Sequence, residues 1–165
     1  MGIRLIIMGP PGVGKGTQAK IIKEIYSIPH LSTGQILRNE IEIESEVGMI
    51  AKNFIDNGLF VADEILIRII ENNISNPICS NGYILDGYPR NLEQVRNLNE
   101  LLINLNHTID FAISLIADEN ELIKRLTKRS QDRGRIDDTV EIIIKRQKIY
   151  WEQTAPIIQY YKDLG

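Results

Sequence analysis

Nine residues near the start, Gly9-Pro10-Pro11-Gly12-Val13-Gly14-Lys15-Gly16-Thr17, have types and spacing suited to holding a polyphosphate. Two glycines with four residues between them and then a lysine make the spacing of a phosphate-binding P-loop. Glycines let the backbone turn so that successive N–H groups face one concavity, and the start of a following helix adds positive potential there. Lys15 then reaches the β- and γ-phosphates of a nucleoside triphosphate. Gly16 stands where the general motif has Ser or Thr, and the hydroxyl comes one place later, at Thr17.

A P-loop says that a triphosphate binds, not what becomes of it. Leu85-Asp86-Gly87-Tyr88-Pro89-Arg90, with Gln94 four residues on, supplies more chemistry. Asp86, ending a strand beside the first, is expected near the P-loop, where its carboxylate suits the waters of a phosphate-bound Mg²⁺. Gly87 permits close approach of a ligand, Pro89 stiffens the turn that aims Arg90, and Gln94 carries donors and an acceptor for an adenine edge. Taken singly, a capping Asp, a surface Arg and a solvated Gln would explain the same residues. In Leu31-Ser32-Thr33-Gly34-Gln35-Ile36-Leu37-Arg38, Thr33 can cap a helix, and Arg38 sits where a second phosphate-bearing ligand needs a cation. Arg125, Arg129, Arg135 and Arg146 form a last group, the first two on one helix face. A solvated charged helix–loop–helix is the plain account of that group. Phosphoryl transfer, however, needs cations around the migrating group only when both substrates are present, which a mobile arginine-bearing loop provides.

These residues need a scaffold of strands feeding turns. Ile3–Met8 is an apolar run short enough for a buried parallel strand, and a helix is expected over residues 14–26. A short strand near Pro29–Ser32 leads to a helix from Thr33, then a charge-rich helical segment, Glu40 to Asn57, closed by Gly58. Further helices are predicted over 63–73, 91–106 and 118–128, and strands over 83–86 and 111–116. Ser130 to Asp138 reads as an exposed loop, and a last helix from Thr139 bends near Pro156. Strands alternating with helices predict an α/β parallel sheet covered on both faces.

A net charge of −3, with 43% hydrophobic and 25% charged residues, fits a soluble globular protein with no general pull toward nucleic acid or membrane. Cys79 is the one cysteine, so no intrachain disulfide and no cysteine-based zinc site forms; it reads as a small, partly buried apolar residue. The start carries no signal peptide, and no apolar run reaches the roughly 20 residues that span a bilayer. A cytoplasmic monomer is expected. His30 and His107 lack partner spacing and read as surface or loop residues, while Trp151 and Tyr160-Tyr161 are expected to pack the last helix on the core.

Over essentially the whole chain the sequence resembles adenylate kinase. The P-loop with its trailing Gly-Thr, Leu-Ser-Thr-Gly with Arg38, Gly58-Leu59-Phe60-Val61-Ala62-Asp63-Glu64, Asp86 to Arg90 and Gly134-Arg135-Ile136-Asp137-Asp138 occur in that family's order and spacing. The resemblance implies a P-loop core at 1–31, 62–127 and 139–165, an NMP-binding flap at 32–61 and a short lid at 128–138. It implies reversible transfer from MgATP to AMP giving two ADP, with a UMP/CMP kinase or a non-catalytic nucleotide binder as alternatives. Gly12, Val13, Gly14, Lys15, Gly16 and Thr17 would hold the ATP phosphates, with Arg125 over the adenine and Arg129 on the phosphates. Thr33, Arg38, Leu59, Phe60, Val61, Gly87, Tyr88, Pro89, Arg90 and Gln94 would hold AMP. Arg135 and Arg146 would close on the transferring group, Asp137 and Asp138 would fix the shut lid, and Asp86 would hold Mg²⁺ through water. Catalysis would rest on Lys15, Arg90, Arg129, Arg135 and Arg146. Two departures stand out. Gln35 replaces a usual aspartate, which predicts weaker Mg²⁺ affinity. The family also continues beyond the place matching Gly165 with one more strand, a glycine-bearing loop and a helix, so truncation is expected.

Overall fold

The first strand, β1 (Ile3–Met8), has its last four residues buried because both sheet faces are covered. The computed structural model describes residues 2–133 and 139–165, the backbone alone over 129–133. After the glycine-rich turn come α1 (Lys15–Tyr26), β2 (His30–Ser32), α2 (Thr33–Glu42), α3 (Glu46–Asp56) and α4 (Asp63–Ile74). A short turn of helix at Pro77–Cys79 leads to β3 (Gly82–Asp86), α5 (Leu92–Asn104), β4 (Phe111–Ser114) and α6 (Glu119–Arg133). The chain ends in α7 (Val140–Ile149), a π-helical turn (Tyr150–Thr154) and α8 (Ala155–Asp163).

The four strands are parallel, in the order β2-β3-β1-β4. Alternation along the strands splits the core in two. Ile6, Met8, Tyr83 and Leu85 face one layer with α4, α5 and α8, while Leu5, Ile7 and Ile84 face Ala19 of α1. Register aligns Ile7 and Ser32 with Asp86, so three strands end together and their following turns converge. In open parallel sheets that edge is where ligands bind.

Five expectations change here. The segment from Glu40 breaks at 43–45, because Glu44 takes a positive φ of 51° and Ser45 caps α3 by accepting from the Gly48 N–H. Helix α6 continues to Arg133, through the first part of the expected loop at 130–138. Trp151 is half exposed, edge-on to Tyr150, rather than packed on the core, whereas Tyr160 and Tyr161 do pack there. His30 lies within β2, partly buried, not on the surface. Cys79, expected to be partly buried, is fully buried, its thiol pushed up by desolvation. Among the described residues no helix is long and apolar enough to cross a membrane.

Candidate active site

The P-loop turns through Gly12 (φ 88°) and Gly14 (φ 99°), conformations that residues with a Cβ rarely adopt. The Thr17 and Gln18 N–H groups donate to the Gly14 carbonyl at 3.0 and 3.1 Å, starting α1. Lys15 bends back over the loop, its Nζ donating to the Gly9 carbonyl at 2.7 Å and to Pro10 at 3.3 Å. The loop is held from outside. A Cβ on Gly12 would lie 2.9 Å from Leu126 of α6, and Gln147 of α7 donates to the Pro11 carbonyl at 2.9 Å.

Asp86, at the end of β3, is 7% exposed and bonded through Oδ2 to His30 Nε2 at 3.0 Å. A Cβ at Gly16 would come 3.9 Å from that carboxylate oxygen, so Asp86 does lie against the P-loop. The buried Thr33 hydroxyl donates to the Gly87 carbonyl at 3.0 Å, tying the start of α2 to the turn after β3. Gly87 takes a positive φ of 86°, and a Cβ there would also meet Thr33 Oγ1 at 2.7 Å and Arg90 Nη2 at 3.0 Å. Arg90 donates from Nε to Gly87 O at 2.6 Å and lies 5.1 Å from the Phe60 ring centre. Desolvation pulls Arg90 down to about 10; Arg146 adds to this, Asp86 opposes it and Arg38 adds again. Several cations therefore share one enclosed region, the electrostatic setting that a phosphate dianion would relieve.

Several of these groups line a cleft of about 1010 Å³, the open solvent at its mouth included, while Asp86 and the loop residues Gly12, Val13, Gly14, Gly16 and Thr17 stand outside that lining. Lys15 stands on one wall, with Thr33 and Arg38 from α2 and Gly87, Pro89 and Arg90 after β3. Leu59, Phe60 and Val61 form another wall, and Arg146 of α7 completes it. Tyr88 is also buried but lies behind the lining, its hydroxyl pushed up by burial. Gln94 does not reach the cleft: it is fully buried, its Oε1 accepts from Arg90 N–H at 2.7 Å and its Nε2 donates to Asp63 at 2.6 Å. Arg125 pairs with Glu121 at 2.8 Å on the exposed face of α6. The Arg129 side chain, Arg135, Asp137 and Asp138 lie outside the described residues.

Among the described residues no cluster of three or more His, Cys, Asp or Glu could by itself hold a metal ion. One buried carboxylate beside a P-loop fits the binding habit of Mg²⁺, which keeps several waters and takes its other oxygens from substrate phosphates. Four side chains that shape the site carry little sequence signal: His30, Gln147, Tyr150 and Thr154. Their partners or shared cleft lie far away in the chain, up to 136 residues for Gln147, so local spacing gives no pointer to them.

The adenylate kinase family model matches residues 7–165. The chain is 46% identical to an adenylate kinase of a Nocardioides species over 161 residues, 98% of this chain and 84% of that one. It is 43% identical to an adenylate kinase of Bifidobacterium longum over 163 residues, covering 99% and 88% of the two chains. It is 46% identical to an adenylate kinase of Leptospira biflexa over 162 residues, covering 98% and 87%.

Proposed function

This chain belongs to the adenylate kinase family, and on that premise we propose how its residues move a phosphoryl group from ATP to AMP, giving two ADP. One observation carries the reading: the P-loop lysine and three arginines from separate elements, Arg38, Arg90 and Arg146, line a single cleft. Lys15 and the backbone from Gly12 to Thr17 hold the ATP phosphates at the start of α1. Arg125 and Arg129 serve the ATP side, over the adenine and on the phosphates. The AMP phosphate is held by Arg38 and Arg90 under the flap at 32–61, with Thr33, the 59–61 backbone and the turn from Gly87 to Pro89 around the nucleoside. Gln94 serves this pocket through its bond to Arg90.

In the reaction an oxygen of the AMP phosphate attacks the γ-phosphorus in line. The bond from that phosphorus to the β,γ-bridging oxygen breaks, and ADP leaves with the electron pair. No side chain is a covalent nucleophile, so the chain contributes position, positive charge and exclusion of water. Arg135 and Arg146 gather about the migrating group as the lid at 128–138 closes, with Asp137 and Asp138 bonding across it. Asp86 would hold Mg²⁺ through water, and the ion when bound would supply positive charge to the triphosphate. The enzyme works as a monomer in the cytoplasm.

The test is a coupled assay for ADP from ATP plus AMP, with CMP, UMP and GMP as rival acceptors. AMP should be the preferred acceptor by kcat/KM. Turnover that favours UMP or CMP would reassign the acceptor pocket. Arg90→Ala and Arg135→Ala should each cut turnover by roughly 10³. A non-catalytic binder would have no turnover to lose.

A further inference from the structure

Arg90 is a cation among cations, yet among the described residues no carboxylate forms an ion pair with it. Like-charge repulsion from Arg146 and Arg38 and the cost of desolvation both push such a side chain toward water. Its own contacts, the Gly87 carbonyl and the Phe60 ring, are neutral. The Asp86 charge offsets part of this without pairing with Arg90, and the rest is opposed by a grip on the backbone. The Arg90 N–H donates to Gln94 Oε1 at 2.7 Å, and its carbonyl accepts from Thr154 Oγ1 at 2.8 Å. Both gripping side chains are buried, Gln94 at 0% and Thr154 at 6% exposure.

Each grip is itself set by a chemical choice. Gln94 could turn its amide over, which would set an NH₂ against the Arg90 N–H. The Asp63 carboxylate forbids that, because it can only accept: Oδ1 takes Gln94 Nε2 at 2.6 Å, while Oδ2 lies 3.4 Å from Asn91 Nδ2. Asn91 in turn caps α5 by accepting from the Gln94 N–H at 2.7 Å. A threonine within a helix usually returns its hydroxyl to the carbonyl four residues back, here Tyr150. Thr154, at the end of the π-helical turn, gives its hydroxyl to Arg90 instead.

We propose that Asp63, Gln94 and Thr154 are positioning residues for phosphoryl transfer, clamping the two peptide groups of Arg90 from α4, α5 and the π-helical turn. The clamp fixes where the guanidinium stands in the cleft without neutralising it, so its charge stays available to phosphate. The inference rests on the reading of Arg90 as a phosphate contact.

The test is steady-state kinetics with both substrates varied, on Thr154→Val, Thr154→Ser, Asp63→Asn, Arg90→Ala and the Arg90→Ala/Thr154→Val double variant. Thermal melts run alongside. Thr154→Val keeps the shape but removes the donor, and Asp63→Asn keeps the shape but permits Gln94 to turn over. Each should lower kcat/KM for AMP about tenfold or more, since small misplacements of a catalytic group carry losses of up to about 10². KM for ATP should stay within about twofold, and Thr154→Ser should recover most of the loss. In the Arg90→Ala background Thr154→Val should change nothing further, because the group it positions is gone. The proposal is overturned if the losses of Thr154→Val and Arg90→Ala multiply, if both substrates suffer equally, or if serine fails to restore the rate. Should Thr154→Val not fold, Asp63→Asn alone decides by the same AMP-against-ATP split. If Arg90→Ala keeps full turnover, the phosphate reading of Arg90 is itself wrong; if Arg90→Ala fails but the clamp variants match wild type, only the clamp is wrong.

Discussion

Replacing Gly87 by alanine puts a methyl group at the junction of β3, α2 and the Arg90 turn. Gly87 has φ of 86°, and a side chain in the left-handed region costs about 1–2 kcal/mol. The new Cβ would stand 2.7 Å from Thr33 Oγ1, and Thr33 is 1% exposed, so it has little room to retreat. Displacing it weakens the 3.0 Å bond to the Gly87 carbonyl, a further loss of about 0.5–1.5 kcal/mol. The sum is roughly 1.5–3.5 kcal/mol, and at about 2–4 °C per kcal/mol for a chain of this size Tm should fall by roughly 3–14 °C. Gly14→Ala is the control, since φ is 99° but nothing lies within 4 Å of its Cβ position. That variant should carry the backbone term alone, about 1–2 kcal/mol. Turnover should suffer more than stability in Gly87→Ala. The methyl would also sit 3.0 Å from Arg90 Nη2, and moving that group should lower kcat/KM for AMP by about 10–100-fold. Calorimetric or circular-dichroism melts read the first effect and the coupled ADP assay the second. A Gly87→Ala protein that melts with Gly14→Ala and keeps wild-type turnover would refute the contact argument.

Gln35→Asp places a carboxylate on the first turn of α2, which carries no acidic residue and where the Gln35 side chain donates to Asn39 Oδ1 at 2.8 Å. It should lower the Mg²⁺ concentration for half-maximal rate, with up to about 1 kcal/mol of helix stabilisation from the dipole; an unchanged Mg²⁺ titration counts against the reading. Gly58→Ala adds a Cβ 2.8 Å from Ile142 Cγ2 at a φ of 65°, so it should destabilise by about 1–3 kcal/mol in thermal melts and raise KM for AMP more than KM for ATP. Lys15→Met removes the cation from the P-loop, and the rate should drop by about 10²–10³ with the melting temperature nearly unchanged, which paired rate and melting measurements would check.

How much of this was legible depended on the range of each signal. The strand–turn–helix from Ile3 to Tyr26 can be read directly, because the apolar run, the glycines and the helical periodicity are all local. The bounds of β3 and α5 are equally local, with Asn91 supplying a cap. The break between α2 and α3 was harder: Ser45 is a capping residue, but the apolar positions on either side keep a helical rhythm. His30 and Thr154 were opaque for another reason. Each is unremarkable in its own segment, and its role arises from a partner 56 or 64 residues away, brought near only by the sheet and the last helices. Gln94 shows the limit from the other side. Its position relative to Arg90 pointed to a ligand, but Asp63, 31 residues earlier, holds its amide in the protein's own network.

The central claim is that two nucleotides occupy one cleft, end to end, with Lys15 and the arginines around the phosphate between them. Binding of a pentaphosphate capped by adenosine at both ends tests it most directly, by titration against ATP and, separately, against AMP. The account predicts displacement by either nucleotide, and protection of one bound molecule per chain. A capped pentaphosphate that fails to bind, or that only ATP displaces, would contradict it.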